Sequence, residues 1–156
     1  MPREAVVDAP IMPGADNPDA VAWGEAVRSH MDAIDEDFVA VGHSLGGTTI
    51  LKEIAERGTP PDLRGAVTMA MPFWKAPGWQ VPDYAVPDDT GALGDVPLIL
   101  YASVGDETVA IDHLDRYGAM LPNAVLRRVS GTGHLFDRAP FDAIAGDIVS
   151  LFGERR

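Results

Sequence analysis

Apolar side chains recur every three or four residues in four stretches of the chain, and this spacing predicts four amphipathic helices. The residues that define their apolar faces are Trp23, Val27, Met31 and Ile34, then Ile50, Leu51, Ile54 and Ala55, then Ile111, Leu114 and Tyr117, then Phe141, Ile144, Ala145, Ile148 and Phe152. Asn17 is a suitable N-cap for the first helix, with Pro18 in its first position. That helix should extend to about Asp35, and Gly58 marks the end of the second helix.

Short apolar runs separate these helices and predict strands that are buried on both faces. The runs are 38–41, 66–71, 98–103 and 124–129, and residues 5–7 form a shorter stretch that favours a strand. Strands that alternate with helices build a parallel sheet. The predicted fold is therefore a three-layer α/β/α sandwich with a mostly parallel sheet.

The chain has 156 residues, which is enough for one compact domain, and we assign residues 1–156 to a single domain. Within it, residues 72–97 carry five prolines and no sustained periodicity. This stretch predicts a long loop or a small cap, and its aromatic residues Phe73, Trp74, Trp79 and Tyr84 argue against disorder.

Composition narrows the classes of function. A formal net charge of −12 repels phosphate backbones and anionic lipid headgroups, so we expect neither a nucleic-acid partner nor a membrane partner. The absence of cysteine excludes disulfides, thiolate metal ligands and a cysteine nucleophile. No apolar run approaches the length of about 20 residues that spans a bilayer. Residues 1–9 lack the pattern of a signal peptide, and a cytoplasmic location is expected.

Residues 42–46 read Gly-His-Ser-Leu-Gly and fit the G-x-S-x-G nucleophile elbow. The motif lies between a predicted strand and a predicted helix, which is the context that the mechanism requires. In so sharp a turn we expect no room for side chains at Gly42 or Gly46, and we expect the Ser44 hydroxyl to project from the end of the strand. The N–H groups at the start of the helix favour negative charge that develops there.

A serine hydroxyl becomes a good nucleophile only when a base removes its proton, so a histidine must lie nearby. His134 follows the last predicted strand, at the sheet edge where the elbow also lies, and it is the predicted base. His30 and His113 belong to helical patterns and are expected to be ordinary helix residues. His43 is adjacent to Ser44, so we expect its ring to point elsewhere.

The acid that orients the base should follow the strand at 98–103, because hydrolases with this elbow have the order serine, acid, histidine. Asp106 occupies that position. Glu107 is the neighbour that could replace it, whereas Asp137 lies beyond His134 and is in the wrong order. The alternative role of Asp106 is that of an ordinary turn carboxylate.

The residues Met71, Phe73, Trp74 and Trp79 follow the strand next in sequence after the elbow helix. We expect them to gather near Ser44, where they would line or cover an apolar pocket for the acyl group of a substrate. Their alternative role is plain packing of the core or of the cap.

The sequence resembles the α/β hydrolases, and within them the small serine hydrolases related to retinoblastoma-binding protein 9. The resemblance covers about residues 10–151, and its motifs are Ala9-Pro10-Ile11-Met12-Pro13, Trp23, Val41-Gly42-His43-Ser44-Leu45-Gly46-Gly47, Pro72-Phe73-Trp74, Gly105-Asp106-Glu107 and Gly133-His134. It implies a covalent acyl-serine, with Ser44, Asp106 and His134 as the catalytic triad and the Leu45 N–H as an oxyanion donor. It implies no metal and no organic cofactor.

One departure from the family pattern concerns the N-terminus. In the family, a strand, a Gly-rich loop that supplies the second oxyanion N–H, and a helix precede the segment that resembles residues 6–13. This sequence starts too late to include them. Either the chain is an N-terminal truncation, which we favour, or the strand at Val6 pairs directly with the strand at Phe38 in a reduced sheet.

The residues and the resemblance together predict a serine hydrolase that cleaves carboxylic ester or amide bonds of small acyl substrates, with a rate that falls as His134 is protonated. Acyl transfer to an acceptor other than water would use the same residues. The alternative is a catalytically weak or inactive binding protein, whose exposed sheet edge could recruit another chain or a second copy of itself. The loss of one oxyanion donor, which commonly costs a factor of about 10² to 10³ in turnover, favours this alternative.

Overall fold

The computed structural model describes residues 4–153, which form a sheet of four parallel strands flanked by helices. The strands are β1 (Phe38–His43), β2 (Leu63–Met69), β3 (Leu98–Val104) and β4 (Val125–Ser130). The α-helices are α1 (Ala20–Asp32), α2 (Leu45–Arg57), α3 (Asp112–Met120) and α4 (Phe141–Gly153). The strand order is β1-β2-β3-β4, so β1 and β4 are the two edge strands. The predicted α/β fold with a parallel sheet is confirmed.

Two apolar clusters cover opposite faces of the sheet, because successive residues of a strand point to opposite sides. Ala66 of β2 belongs to the cluster that also contains residues of α1, α2 and α3. Its neighbour Val67 belongs to the cluster that contains residues of α4. Both side chains are fully buried. The sheet is therefore the middle layer of an α/β/α sandwich, as predicted.

The carboxyl ends of the four parallel strands lie side by side along one edge of the sheet, which runs across the strands and is distinct from the two edge strands. His43 at the end of β1 pairs with Met69 at the end of β2, and Val104 at the end of β3 pairs with Ser130 at the end of β4. The loops that carry residues 44, 106 and 134 all leave the sheet from this edge. The topology thus brings the predicted catalytic residues to the same side of the molecule.

Several predictions about the strands are wrong. Residues 5–7 form no strand, and the Val6 and Val7 side chains are 89% and 87% exposed, so their local preference for extended backbone is not matched by pairing with another strand. The pairing of Val6 with Phe38 in a reduced sheet is therefore also wrong. β4 is not buried on both faces, since as an edge strand it exposes Val125.

The helices begin and end close to the predicted positions, with two corrections. The N-cap of α1 is Asp19, whose carboxylate accepts the Ala22 N–H at 2.8 Å, while Asn17 closes a preceding turn. On α4, the predicted apolar face is only partly correct, because Ile144 is buried but Phe141 is exposed. Within residues 4–153, no helix combines the length and the apolar character needed to cross a bilayer.

The segment 72–97, which we refer to as the cap segment, contains two 3-10 turns, Pro82–Tyr84 and Gly91–Leu93, and otherwise irregular backbone. Val86 and Leu93 of this segment are buried in the cluster that α1, α2 and α3 share. The cap segment is thus an ordered irregular loop that contributes to the core.

Candidate active site

Ser44 lies in the tight turn between β1 and α2, with φ +54° and ψ −122°. A positive φ is unfavourable for residues other than glycine, so the surrounding fold holds this serine in a strained conformation of the kind found at functional sites. Its N–H donates to the Met69 carbonyl at 2.8 Å, and its carbonyl accepts the N–H groups of Gly47 and Thr48. These bonds fix the turn from both sides.

Glycine is required at two positions of this turn. A Cβ atom on Gly42 would lie 2.5 Å from the Cα and N atoms of Gly47, which is too close for any side chain. The prediction for Gly46 is wrong, because a Cβ atom there would meet no atom within 4 Å. Gly47 is the second constrained residue, since its Cβ atom would approach Cγ of Met71 to 2.8 Å. The Gly-Gly pair in the sequence was the available signal for this position.

Asp106 and His134 lie in the loops after β3 and β4 and contact each other. The Asp106 Oδ2 atom is 3.0 Å from His134 Nδ1, and its Oδ1 atom accepts the N–H groups of Thr108 and Val109 at 2.8 Å each. The Asp106 side chain is only 1% exposed, so these bonds replace its hydration. Because a carboxylate only accepts hydrogen bonds, Nδ1 carries the proton and Nε2 of the neutral ring is left to accept one.

The alternative acids are not placed in this way. Glu107 is exposed, and its Oε2 atom would lie 3.4 Å from a Cβ atom placed on Gly133. Asp137 is exposed as well. Within residues 4–153, neither residue forms a hydrogen bond or an ion pair with His134.

His134 reaches the elbow beside His43. The His43 Nε2 atom lies 2.7 Å from the His134 carbonyl oxygen, and the two ring centroids are 5.2 Å apart. Within residues 4–153, His134 forms hydrogen bonds with Asp106 and His43 and none with the Ser44 hydroxyl. Two of the three predicted catalytic side chains, Asp106 and His134, are therefore hydrogen-bonded to each other. The backbone of His134 is in turn bonded to His43, the residue directly before Ser44.

The His43 contact was missed at the sequence level. Adjacency to Ser44 predicted only that the ring points elsewhere than at the hydroxyl, and sequence spacing gave no information on which distant backbone group the ring meets. Only the path of the loop after β4 determines that this group is the carbonyl of His134.

Leu45 is the first residue of α2. The first N–H groups of a helix have no acceptor one turn earlier in the same helix. Within residues 4–153, no loop or turn carbonyl accepts the Leu45 N–H either. This N–H is therefore free to donate to a ligand near Ser44.

The remaining histidines have other partners. His30 on α1 pairs with Asp8 at 2.8 Å. His113 on α3 is buried, and its Nδ1 atom accepts the Phe73 N–H at 2.8 Å, which ties α3 to the cap segment. Burial lowers the pKa of His113, because the surroundings disfavour the charged ring.

The four predicted pocket residues have two kinds of surroundings. Met71 is buried behind the elbow, and Phe73 packs edge-to-face on Tyr117 with centroids 5.0 Å apart, so both contribute to the core. Trp74 and Trp79 are half-buried and pack against each other, with centroids 5.4 Å apart. The indole N–H of Trp74 donates to the Thr48 hydroxyl at 3.2 Å, one helical turn from Ser44.

A small cavity and a shallow cleft lie near the cap segment. A cavity of about 10 Å³ beside Met71 and His113 has room for a water molecule. A shallow cleft of about 440 Å³ contains Lys52 and Lys75, the two lysines of the sequence. Ser44 lines neither of them. Within residues 4–153, no group of three or more His, Cys, Asp or Glu side chains is arranged to hold a metal ion.

The chain resembles known proteins in sequence and in fold. The family described as serine hydrolase matches residues 2–147. A comparison with curated protein sequences found no match.

Several solved structures have a similar fold. The ydeN gene product from B. subtilis is 19% identical, with a TM-score of 0.77 over 92% of this chain and 80% of that one. A meta-cleavage product hydrolase from Pseudomonas fluorescens is 14% identical, with a TM-score of 0.67 over 90% and 74% of the two chains. Est1E from Butyrivibrio proteoclasticus is 16% identical, with a TM-score of 0.64 over 92% and 74%. At these identities the similarity concerns the fold.

Proposed function

Because the chain belongs to the serine hydrolase family and has the fold of the α/β hydrolases, we propose that it hydrolyses carboxylic ester or amide bonds of small acyl substrates, with Ser44 as the nucleophile. His134 is the proposed base and Asp106 the proposed acid. The observation that best supports this proposal is the hydrogen bond between Asp106 and His134, at the sheet edge from which the strained Ser44 also projects.

In the acylation step, Nε2 of His134 takes the proton from the Ser44 hydroxyl as the oxygen attacks the carbonyl carbon of the substrate. The carbonyl oxygen becomes an oxyanion, and the imidazolium is stabilised by the Asp106 carboxylate. The imidazolium then gives its proton to the leaving alcohol or amine, the bond to the leaving group breaks, and an acyl-serine remains.

In the deacylation step, His134 takes a proton from a water molecule that attacks the acyl-serine. The second tetrahedral intermediate collapses when the imidazolium returns the proton to the Ser44 oxygen, which releases the carboxylic acid. A different acceptor in place of water would give acyl transfer through the same residues.

The Leu45 N–H is the proposed oxyanion donor. It lies directly after the nucleophile, at the positive end of α2, and has no competing acceptor among residues 4–153. The helix dipole adds to its effect, because a helix N-terminus stabilises negative charge.

The aromatic pair of Trp74 and Trp79 is the proposed wall of the acyl site. Trp74 is linked to the elbow through Thr48, because the Thr48 hydroxyl accepts the Trp74 indole N–H and donates to the Ser44 carbonyl oxygen at 3.4 Å. Half-buried indoles offer a large apolar surface at low conformational cost, which suits contact with an acyl chain. Met71 and Phe73 would support this wall from the core.

A fluorophosphonate probe tests the proposal, because it reacts with an activated serine and not with an ordinary hydroxyl. We expect the native chain to be labelled and the Ser44→Ala and His134→Ala variants to remain unlabelled. Ser29→Ala, which removes an exposed hydroxyl on α1, is the matched control and should be labelled like the native chain. Unlabelled native chain would contradict the proposal.

A second candidate function is supported by the position of β1 at the edge of the sheet, where Val41 is 44% exposed. An edge strand can pair with a strand from another chain, including a second copy of this one. In this case the chain would act as a binding protein with little or no hydrolase activity. Absence of labelling together with a concentration-dependent oligomer would favour this candidate.

A further inference from the structure

The loop that carries His134 and the turn that carries Ser44 follow different edge strands of the sheet. Ser44 follows β1 and His134 follows β4, and these strands are the two outermost ones. Neighbouring strands lie about 4.8 Å apart, so three spacings separate the ends of β1 and β4 by about 14 Å. The loop must therefore cross the ends of β3 and β2 to bring His134 to the elbow.

The conformation of this loop depends on contacts made outside it. Gly131, Gly133 and Phe136 have positive φ values of 74°, 60° and 56°. Glycine has many accessible conformations, so two glycines among the three residues before His134 leave its backbone poorly determined by local preferences. Phe136 anchors the far side of the loop, because its side chain is buried in the cluster that α4 covers.

His43 provides the anchor on the near side. Its Nε2 atom lies 2.7 Å from the carbonyl oxygen of His134, and a carbonyl oxygen can only accept, so Nε2 carries the hydrogen and donates it. Both residues are half-buried, which limits competition from water for this bond. The bond therefore joins the backbone of the proposed base to the residue directly before the proposed nucleophile.

We infer that His43 is a positioning residue that fastens the His134 loop to the end of β1 and thereby sets the distance between the base and Ser44. This inference rests on the proposed function. His43 holds the backbone of His134, while Asp106 holds its ring at Nδ1. The two bonds together determine where Nε2 of His134 points.

The experiment compares His43→Gln with His43→Leu. The amide nitrogen of glutamine reaches about as far from the backbone as Nε2 of histidine, whereas leucine has a similar bulk and no donor. A displacement of about 1 Å at a catalytic group can cost a factor of about 10² in rate. We therefore expect His43→Leu to slow fluorophosphonate labelling of Ser44 by about ten- to a hundredfold, with KM for an acetyl ester nearly unchanged, and His43→Gln to restore most of the rate.

Hydrogen exchange of residues 131–136 provides a readout that does not need activity. We expect faster exchange of this loop in His43→Leu and native-like exchange in His43→Gln. His30→Leu is the control, because His30 lies on α1 and is bonded to Asp8. This variant should change neither the labelling rate nor the exchange of residues 131–136.

The outcomes separate this inference from the proposed function. Faster loop exchange with an unchanged labelling rate, or unchanged loop exchange in His43→Leu, would overturn the positioning role. Equal loss of rate in the leucine and glutamine variants would also overturn it, since the donor would then be irrelevant. If the native chain is not labelled, the proposed function fails and the positioning role fails with it, although the exchange data still report whether the anchor exists.

Discussion

The carboxylate of Asp106 divides its two oxygens between the imidazole of His134 and the backbone of its own turn. Both the position of the acid and the orientation of the proposed base therefore depend on one side chain. We expect Asp106→Asn to slow labelling of Ser44 by about 10³-fold or more, because an amide nitrogen facing Nδ1 favours the wrong tautomer of the imidazole.

Glu107→Gln is the matched control for this prediction. It makes the same chemical change one residue later, at a carboxylate that forms neither a hydrogen bond nor an ion pair with His134 within residues 4–153. Labelling rates of both variants would be measured with the same probe. A large effect in Glu107→Gln and none in Asp106→Asn would reverse the assignment of the acid.

The two outer glycines of the elbow motif should differ in their tolerance of a methyl group. Gly42→Ala places a Cβ atom 2.5 Å from the backbone of Gly47, and we expect it to lower the free energy of unfolding by about 3 kcal/mol. Gly46→Ala meets open space, so its free energy of unfolding should stay within about 1 kcal/mol of the native value. Urea unfolding measures both; similar destabilisation of the two variants would argue against this geometry.

Burial of His113 should make the folded chain less stable in acid. Its pKa is lowered in the folded state, so the unfolded chain takes up the proton first as the pH falls below about 6.5. The free energy of unfolding is expected to decrease from that pH downward and to level off below the lowered pKa. Asp112 and Asp106 oppose this shift and Arg116 adds to it, but desolvation is the largest cause.

His113→Asn isolates this contribution. The amide oxygen of asparagine can accept the Phe73 N–H as Nδ1 does, and it does not titrate. We expect the variant to show a smaller decrease in the free energy of unfolding between pH 7 and pH 5 than the native chain. An identical pH dependence of the two chains would mean that His113 does not contribute to it.

Trp79 should affect the preference for the length of the acyl chain. If it lines the proposed acyl site, Trp79→Ala should lower the ratio of kcat/KM for octanoyl over acetyl esters by about tenfold, because an apolar contact with the longer chain is lost. Phe141→Ala removes an exposed aromatic ring from α4 and should leave the ratio unchanged. Unchanged ratios in both variants would indicate that Trp79 only packs against Trp74 and His113.

The fold could be predicted from the sequence wherever local patterns decide it. The apolar runs at β1 and β3, and the helical spacing around Ile54, were sufficient because burial of these residues follows directly from their order. The elbow could be predicted because a strand, a Gly-bounded serine and a helix are contiguous.

Other features depend on partners that are distant in sequence. Val6 and Val7 favour a strand locally but form none, because pairing needs a neighbouring strand. The exposure of Val125 follows from the place of β4 in the strand order, which no local pattern contains. The bond from His43 to the His134 carbonyl joins residues 91 positions apart, and the conformation of a glycine-rich loop determines it.

The placement of β1 and β4 at the two margins of the sheet has a consequence for the thermal unfolding of the molecule. Margins of a sheet open at lower cost than its centre, and opening at either one would draw Ser44 and His134 apart while β2 and β3 remain intact. The reaction of Ser44 with a covalent serine-directed inhibitor should therefore be lost at a temperature several degrees below the midpoint of unfolding that circular dichroism measures for the whole chain.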